Sequence, residues 1–175
     1  MIEVYDSGIL ERAEKQRKKI LFVYYVILIA YILLSALFVT WEVLLPYQSK
    51  LESLVKWLHH LVTAIFVTAS FLFFGIPFRR IHKYVQVCRN FRDGLKDTSE
   101  GVVIGFSEEM TEKDGVDVKS IIIDEKIKYR EGSIQKNIFI LYEEEFPKIE
   151  EKAKIRYVTQ AGFMLKYEII TEEKQ

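Results

Sequence analysis

Two long uncharged apolar runs constrain this chain more than any other feature of its sequence. Residues 20–41 and residues 57–78 each hold 22 residues without Asp, Glu, Lys or Arg, and Arg79 and Arg80 close the second run. A helix of that length is about 33 Å long, enough to cross the hydrocarbon core of a bilayer. The sequence therefore predicts two transmembrane helices joined by a short extracytoplasmic loop, residues 42–56.

A cleaved signal peptide is the main alternative for the first run. Its 22 apolar residues exceed the length of a signal-peptide core, and no small-x-small cleavage site follows them. We therefore expect both spans to be retained in the lipid bilayer.

Basic residues predict the orientation of the two spans. Six of them flank the runs on the sides away from the loop: Arg17, Lys18, Lys19, Arg79, Arg80 and Lys83. The loop itself contains only Lys50 and Lys56. Because basic segments stay on the cytoplasmic side, both termini of this multi-pass protein of the cell membrane are predicted to be cytoplasmic. The six residues, which we call the basic collar, either attract anionic lipid or act only as this topological signal.

Small residues recur at a spacing of four in both runs. Ala36 and Thr40 lie on the first, and Ala64 and Thr68 on the second. Such pairs let helix backbones approach closely where lipid gives no hydrophobic drive, so they are predicted helix-packing residues. The alternative is that they face lipid or Phe side chains.

Neither apolar run contains Asp, Glu, Lys or Arg, the charged residues that usually mark a proton relay or ion pathway, and His59 and His60 are the ionisable residues of the second run. His59 and His60 lie at the membrane edge and, as neighbours on a helix, point about 100° apart, which suits interfacial polar residues better than a metal site. A small homo-oligomeric channel or mechanosensitive pore remains the alternative function. Its lining would come from the second helix: Thr63, Thr68, Ser70 and Gly75.

Both helices are predicted to extend into the cytoplasm. Residues 1–19 form an N-terminal helical segment, and residues 79–97 a basic amphipathic helix with Cys88 on its apolar face. Pro77 is expected to kink this helix at its exit from the membrane, and Gly94 to stop it. Cys88 is predicted to be a small buried residue.

Residues 98–175 change to a β pattern. Six of the eight glycines follow the second helix, and strands are predicted over residues 101–107, 116–123, 134–143, 153–159 and 163–170. Asp114–Gly115 predicts a turn after an acidic connection, and a hairpin turn is predicted at Gln160, Ala161 and Gly162. Five short strands indicate a small cytoplasmic all-β domain, an OB- or SH3-like barrel, in an α+β membrane protein.

Charge and motifs narrow the function of this domain. Residues 1–97 carry 13 basic and 8 acidic side chains, residues 98–175 carry 12 and 17, and the acidic balance opposes nucleic-acid binding. Phosphate-loop, dinucleotide, zinc and serine-hydrolase motifs are missing from the sequence, so no cofactor, metal site or catalytic residue is predicted. Three groups of acidic residues, here called the carboxylate groups, stand out: Glu108 and Glu109, Asp114 and Asp117, and residues 143–145. They are better explained as solvated strand ends.

We therefore expect a non-enzymatic integral membrane protein whose cytoplasmic barrel mediates assembly. The partner is either a second copy of the chain or another subunit of a membrane complex. Two spans followed by a cytoplasmic barrel are similar in layout to the NfeD-type membrane proteins, and this resemblance implies a protein partner such as a stomatin-like scaffold. A membrane-bound enzyme acting through the carboxylate groups is the third possibility.

Overall fold

The computed structural model describes residues 1–46, 49–126 and 132–170, with only the backbone of Lys50. The chain forms two compact units. The helical unit is Glu14–His82, and the barrel unit combines Met1–Ala13 with Lys83–Gln175. Tyr47, in the predicted extracytoplasmic loop, lies outside the described residues.

The helical unit is built from two long helices. Helix α1 spans Ile9–Leu44, and α2 spans Lys50–Phe73, continued by a π-helical segment Phe74–Phe78 and by α3, Arg79–Asp93. Both helical stretches are long and apolar enough to cross a membrane, and none of the residues in their most apolar windows is buried in the protein. The prediction of two long apolar helices is confirmed.

The ends of α2 follow from local chemistry. Ser49 precedes the helix with extended backbone, and its hydroxyl accepts a hydrogen bond from the Glu52 amide at 3.1 Å, which satisfies one free donor of the first turn. At the other end Pro77 lies inside the π-helical segment. Proline has no N–H to donate and crowds the preceding turn, so the helix continues past it in a widened turn.

Five strands form a closed barrel in the second unit. They are β2 (Asp97–Lys113), β3 (Val116–Lys126), β4 (Ser133–Leu141), β5 (Lys154–Gln160) and β6 (Phe163–Ile169). Their order is β6-β4-β3-β2-β5, and β5 also pairs with β6, which closes the sheet. All neighbours are antiparallel except β4 and β6. The predicted five-stranded barrel is confirmed, and closure covers edges that so small a sheet would otherwise expose.

Two tight turns set the register of the barrel. Asp114 and Gly115 have φ values of 55° and 81°, and Ala161 and Gly162 have 50° and 84°. Two-residue hairpins of this type need positive φ at both central positions, and the right-handed strand twist favours them. Strand β2 reaches Lys113, so the segment of residues 108–113 that was predicted as a connection is strand, with an irregular register between Ser107 and Thr111.

The first residues of the chain join the barrel. Strand β1, Ile2–Glu3, pairs with β6 through Ile2 and Tyr167, and the Val4 amide donates to the Leu165 carbonyl. The N-terminal segment was predicted to be helical from residue 1, but its first residues satisfy their backbone groups against β6, and α1 begins only at Ile9. For Ile2 and Glu3, pairing with a strand that is distant in sequence takes the place of the predicted helix.

The core of the barrel unit lies between the sheet and one face of α3. The most deeply buried strand side chains are Val103, Val118, Ile121, Ile123, Ile140, Ile155 and Met164, each with 0 % exposure. Val85, Cys88 and Phe91 of α3 belong to the same cluster, together with Tyr5, Ile9 and Ala13. Cys88 is buried, as predicted.

Candidate functional site

Aromatic side chains and hydroxyls join α1 to α2. The Tyr31 ring stacks on Phe66 with centroids 4.0 Å apart, and the Tyr31 hydroxyl donates to Thr63 Oγ1 at 3.2 Å. Two turns away, Tyr24 stacks on Phe73 at 4.8 Å and donates to Ser70 Oγ at 3.3 Å. These two layers place hydrogen-bonded polar groups between the helices.

The predicted helix-packing residues do not form this interface. Ala36, Thr40, Ala64 and Thr68 are all exposed. Each threonine donates to the carbonyl four residues earlier in its own helix, Thr40 to Ala36 and Thr68 to Ala64. The larger aromatic residues fill the space between the helices, so these small residues lie on outward faces.

The predicted pore residues have different surroundings. Thr63 and Ser70 accept hydrogen bonds from tyrosines of α1, and each also donates to its own helix. Thr68 is exposed, and Gly75, in the π-helical segment, has open space where a Cβ would lie. Of the three hydroxyl-bearing residues, only Thr68 faces outward.

A polar pair at the loop end of the helical unit was not found from the sequence. His59 Nδ1 lies 3.5 Å from Glu42 Oε1, and the His59 ring stacks on Phe38 at 5.5 Å. Glu42 follows the first apolar run and His59 lies near the start of the second, so an antiparallel hairpin brings them to one level. The positions of Glu42 and His59, each at the loop end of its apolar run, are the sequence signal that could have identified the pair.

The basic collar residues divide between the two units. Lys18, Lys19, Arg79 and Arg80 are exposed, and Arg17 is half-buried. Because Tyr24 packs on Phe73, these five lie beyond that contact at the same end of the helical unit. Lys83 belongs to the barrel unit, where its side chain covers Gly115.

The carboxylate groups form no metal site in the described part of the chain. No set of three or more His, Cys, Asp or Glu side chains converges there in a way that could hold a metal ion. Glu108, Glu109, Asp114, Asp117 and Glu143 are exposed. They lie on the barrel's outer surface and at its strand ends.

Strand β2 exposes apolar side chains on the outside of the barrel. Val102, Ile104 and Met110, the outer apolar strip, are 37 %, 41 % and 58 % exposed. A neighbouring aromatic pair on the same wall is covered, since Phe106 contacts Phe146 with centroids 5.2 Å apart and the Lys119 ammonium lies over the Phe146 ring. Within the described residues, the outer apolar strip is thus the apolar part of β2 that faces solvent.

Comparison with known proteins adds no information about the family or function of the chain. The chain matches no protein-family model, no curated protein and no solved structure.

Proposed function

We propose that this chain is a non-enzymatic integral membrane protein whose cytoplasmic barrel mediates assembly, with itself or with another subunit of a membrane complex. The observation that carries the proposal is the outer apolar strip, Val102, Ile104 and Met110, exposed on a barrel that already has a closed core. Clustered apolar side chains at a protein surface are typical of protein contacts.

The helical unit supports the membrane anchor in this proposal. Its most apolar windows expose their side chains, which water would disfavour and lipid would solvate. Residues 1–13 and residues from Lys83 onward fold into one unit, so the two ends of the hairpin are held on the same side of any membrane it crosses. The basic collar favours the cytoplasm as that side.

The strand order supports an OB-type barrel. In a barrel of sequential hairpins each strand would pair with its neighbours in sequence. Here β4 does not lie beside β5 in the strand order: β5 pairs with β2 and β6, and β4 meets β6 in parallel. This Greek-key closure of five strands is typical of OB folds, which commonly serve as binding modules. We therefore favour the OB over the SH3-like alternative.

The polar groups between the helices support an anchor over a channel. Thr63 and Ser70 are engaged by Tyr31 and Tyr24, which leaves Thr68 as the outward-facing hydroxyl among the predicted pore residues. A channel would then need several copies arranged around Thr68. Ion flux through proteoliposomes that Thr68→Trp abolishes would favour the channel.

The assembly role is tested on the full chain. The protein is extracted in native nanodiscs, and the mass and composition of the complex are measured by native mass spectrometry. We expect a defined oligomer or a defined heteromeric complex, lost in Ile104→Glu because a charge replaces an apolar contact. Thr111→Glu adds the same charge at an exposed position of the same strand and should leave the complex intact.

Two results would contradict the proposal. One is a monomer that carries no other protein in nanodiscs and mild detergent alike. The other is a complex that survives Ile104→Glu and Val102→Glu unchanged. Reporter fusions at both termini test the orientation separately, and a signal from outside the cell would overturn the cytoplasmic assignment.

A further inference from the structure

Evenly spaced ring contacts between α1 and α2 fix the level of the basic collar. Each contact pairs one ring of α1 with one ring of α2: Tyr24 with Phe73, Tyr31 with Phe66, and Phe38 with His59. Each step between contacts is seven residues along α1 and seven residues back along α2, about two helical turns or about 10 Å. One further step beyond Tyr24 brings Arg17 of α1 to the level of Arg80, which follows the π-helical segment.

The exposure of the basic side chains agrees with this placement. Arg17 lies seven residues before Tyr24, on the face of α1 that packs against the second helix, and it is half-buried. The other four collar residues of the helical unit are exposed around it: Lys18, Lys19, Arg79 and Arg80. Five cationic side chains therefore lie at one level, and Arg17 has the most enclosed position among them.

The charges at this end of the helical unit are not balanced. Residues 14–23 and 74–82 contain six basic residues and one acidic residue, Glu14, a net charge of +5. In residues 42–56, at the loop end, two lysines face two glutamates and the net charge is zero.

Ion pairs within the protein do not relieve this excess. In the part of the chain that the structure describes, no carboxylate forms an ion pair with any of the five collar residues of the helical unit. Like charges at one level repel each other, and the repulsion grows where the surroundings are apolar. The arrangement therefore favours a bound anion.

Apolar side chains next to the collar favour a lipid over a soluble anion. Phe22 of α1 and Phe74 and Ile76 of the π-helical segment are exposed, each within five residues of a collar residue. A soluble anion would leave these side chains uncovered. A phospholipid places its phosphate beside the cations and its acyl chains over the apolar surface, as at other basic sites between membrane helices.

We propose that the collar end of the helical unit binds an anionic phospholipid, with its phosphate at Arg17 and Arg80. The inference rests on the proposed membrane anchor. A guanidinium can donate two parallel hydrogen bonds to a phosphate, which suits arginine at the centre of such a site. The head group should carry no compensating cation, so phosphatidylglycerol is favoured over phosphatidylcholine.

Quenching of tryptophan fluorescence by brominated lipids measures binding at each end of the hairpin. Trp41 and Trp57 lie at the loop end, and Phe22→Trp in a chain with Trp41→Phe and Trp57→Phe provides a probe beside the collar. Brominated phosphatidylglycerol and phosphatidylcholine with the same acyl chains are compared in bilayers. We expect phosphatidylglycerol to bind at least about fivefold more strongly at the collar, the factor expected from one basic residue near anionic lipid, and equally well at the loop end.

Two variants in the Phe22→Trp chain locate the site. Arg17→Gln should lower the preference for phosphatidylglycerol below about twofold. Lys15→Gln removes the same charge from an exposed position of the same helix and should leave the preference unchanged. Lipid quenching at the loop end, measured in the same variants with Trp41 and Trp57 retained, should match the parent protein and so shows that the hairpin is still inserted.

The outcomes separate this inference from the membrane anchor. Equal binding of both lipids at the collar, with normal quenching at both ends, would overturn the lipid site and leave the anchor intact. Equal losses in Arg17→Gln and Lys15→Gln would overturn it as well, because the attraction would then be diffuse. Loss of the preference in millimolar glycerol 3-phosphate would show that the ligand is a soluble anion. If neither lipid quenched either end, both the anchor and the lipid site would be wrong.

Discussion

The Tyr5 ring stacks on the Phe91 ring with centroids 4.7 Å apart and planes inclined by 16°. Tyr5 precedes α1 and Phe91 lies near the end of α3, so this contact joins the two chain segments that enter and leave the helical unit. The Tyr5 hydroxyl also accepts a hydrogen bond from the Leu141 amide at 3.3 Å. One side chain therefore ties the N-terminal segment to both α3 and the barrel.

Replacing Tyr5 should destabilise the barrel unit. Tyr5→Ala removes a ring that is 8 % exposed, and truncation of a buried aromatic residue costs about 3–5 kcal/mol of unfolding free energy. Tyr5→Phe keeps the stack but leaves the Leu141 amide without its acceptor, a cost of about 1–3 kcal/mol. Hydrogen exchange of peptides from β4 and β6 in the full chain measures both values.

Tyr142→Ala is the matched control for Tyr5→Ala, since Tyr142 is 46 % exposed. Its effect should be within about 0.5 kcal/mol, as for most surface substitutions. If both alanine variants change exchange equally, the N-terminal segment does not stabilise the barrel through Tyr5.

Gly101 lies where a side chain on β2 would collide with β3. A Cβ at this position would collide with Ile123 Cγ2 and would lie 2.8 Å from the Asp124 carbonyl oxygen. Gly101→Ala should therefore lower the unfolding free energy by about 1–3 kcal/mol, the usual cost of overpacking a core. Thermal or denaturant unfolding of the full chain in detergent provides the measurement.

Gly105 on the same strand is the control for Gly101, because nothing lies within 4 Å of the Cβ it would gain. Gly105→Ala should be neutral or stabilise by about 0.4–1 kcal/mol, since alanine restricts the unfolded chain. An equal loss in both variants would mean that glycine at position 101 serves strand flexibility and not close approach.

The barrel was largely predictable because its signals are local. The Asp114–Gly115 and Ala161–Gly162 turns were both predicted, and glycine provides the second positive φ value of each turn, while alternating apolar residues mark the strands between them. Strand β1 was missed because Ile2–Glu3 has no periodic pattern of its own. Its structure depends on pairing with Tyr167 and Lys166, a contact that only the folded barrel creates.

The contacts between α1 and α2 could not be read from sequence for a different reason. A helix that is apolar on all sides has no distinct face, so small residues at a spacing of four were the only pattern available. In the structure Tyr31 and Phe66 occupy the interface, while Ala64 and Thr68 face outward. Ring size and hydroxyl placement decide the packing, and neither follows a fixed period.

The hydrogen bond from Tyr31 to Thr63 should be detectable as a coupling energy. A double-mutant cycle with Tyr31→Phe and Thr63→Val should give about 0.6 kcal/mol, the typical value for hydrogen bonds between membrane helices. Unfolding of the full chain in a mixed-micelle titration provides the four free energies. In the control cycle Thr68→Val replaces Thr63→Val, and the coupling should vanish because Thr68 bonds only within its own helix. Equal coupling in both cycles would contradict the assigned interface.

Cys88 should make the stability of the barrel unit depend on pH under alkaline conditions. Burial raises the pKa of its thiol from 9.0 to about 11, and a hydrogen bond with Tyr84 partly opposes this rise. The folded state thus keeps a proton that the unfolded state loses between these two pKa values. The stabilisation is therefore complete below pH 9.0 and is lost as the pH rises towards about 11. The total change in unfolding free energy is on the order of 2 kcal/mol. Unfolding free energies measured from pH 8 to pH 11 should fall more steeply for the parent protein than for Cys88→Ala.

Because Cys88 is the chain's one cysteine, iodoacetamide labelling at pH 8 gives a second readout, and it should be slow until the barrel unfolds. Equal pH slopes together with rapid labelling of the folded protein would show that the thiol is accessible and ionises normally.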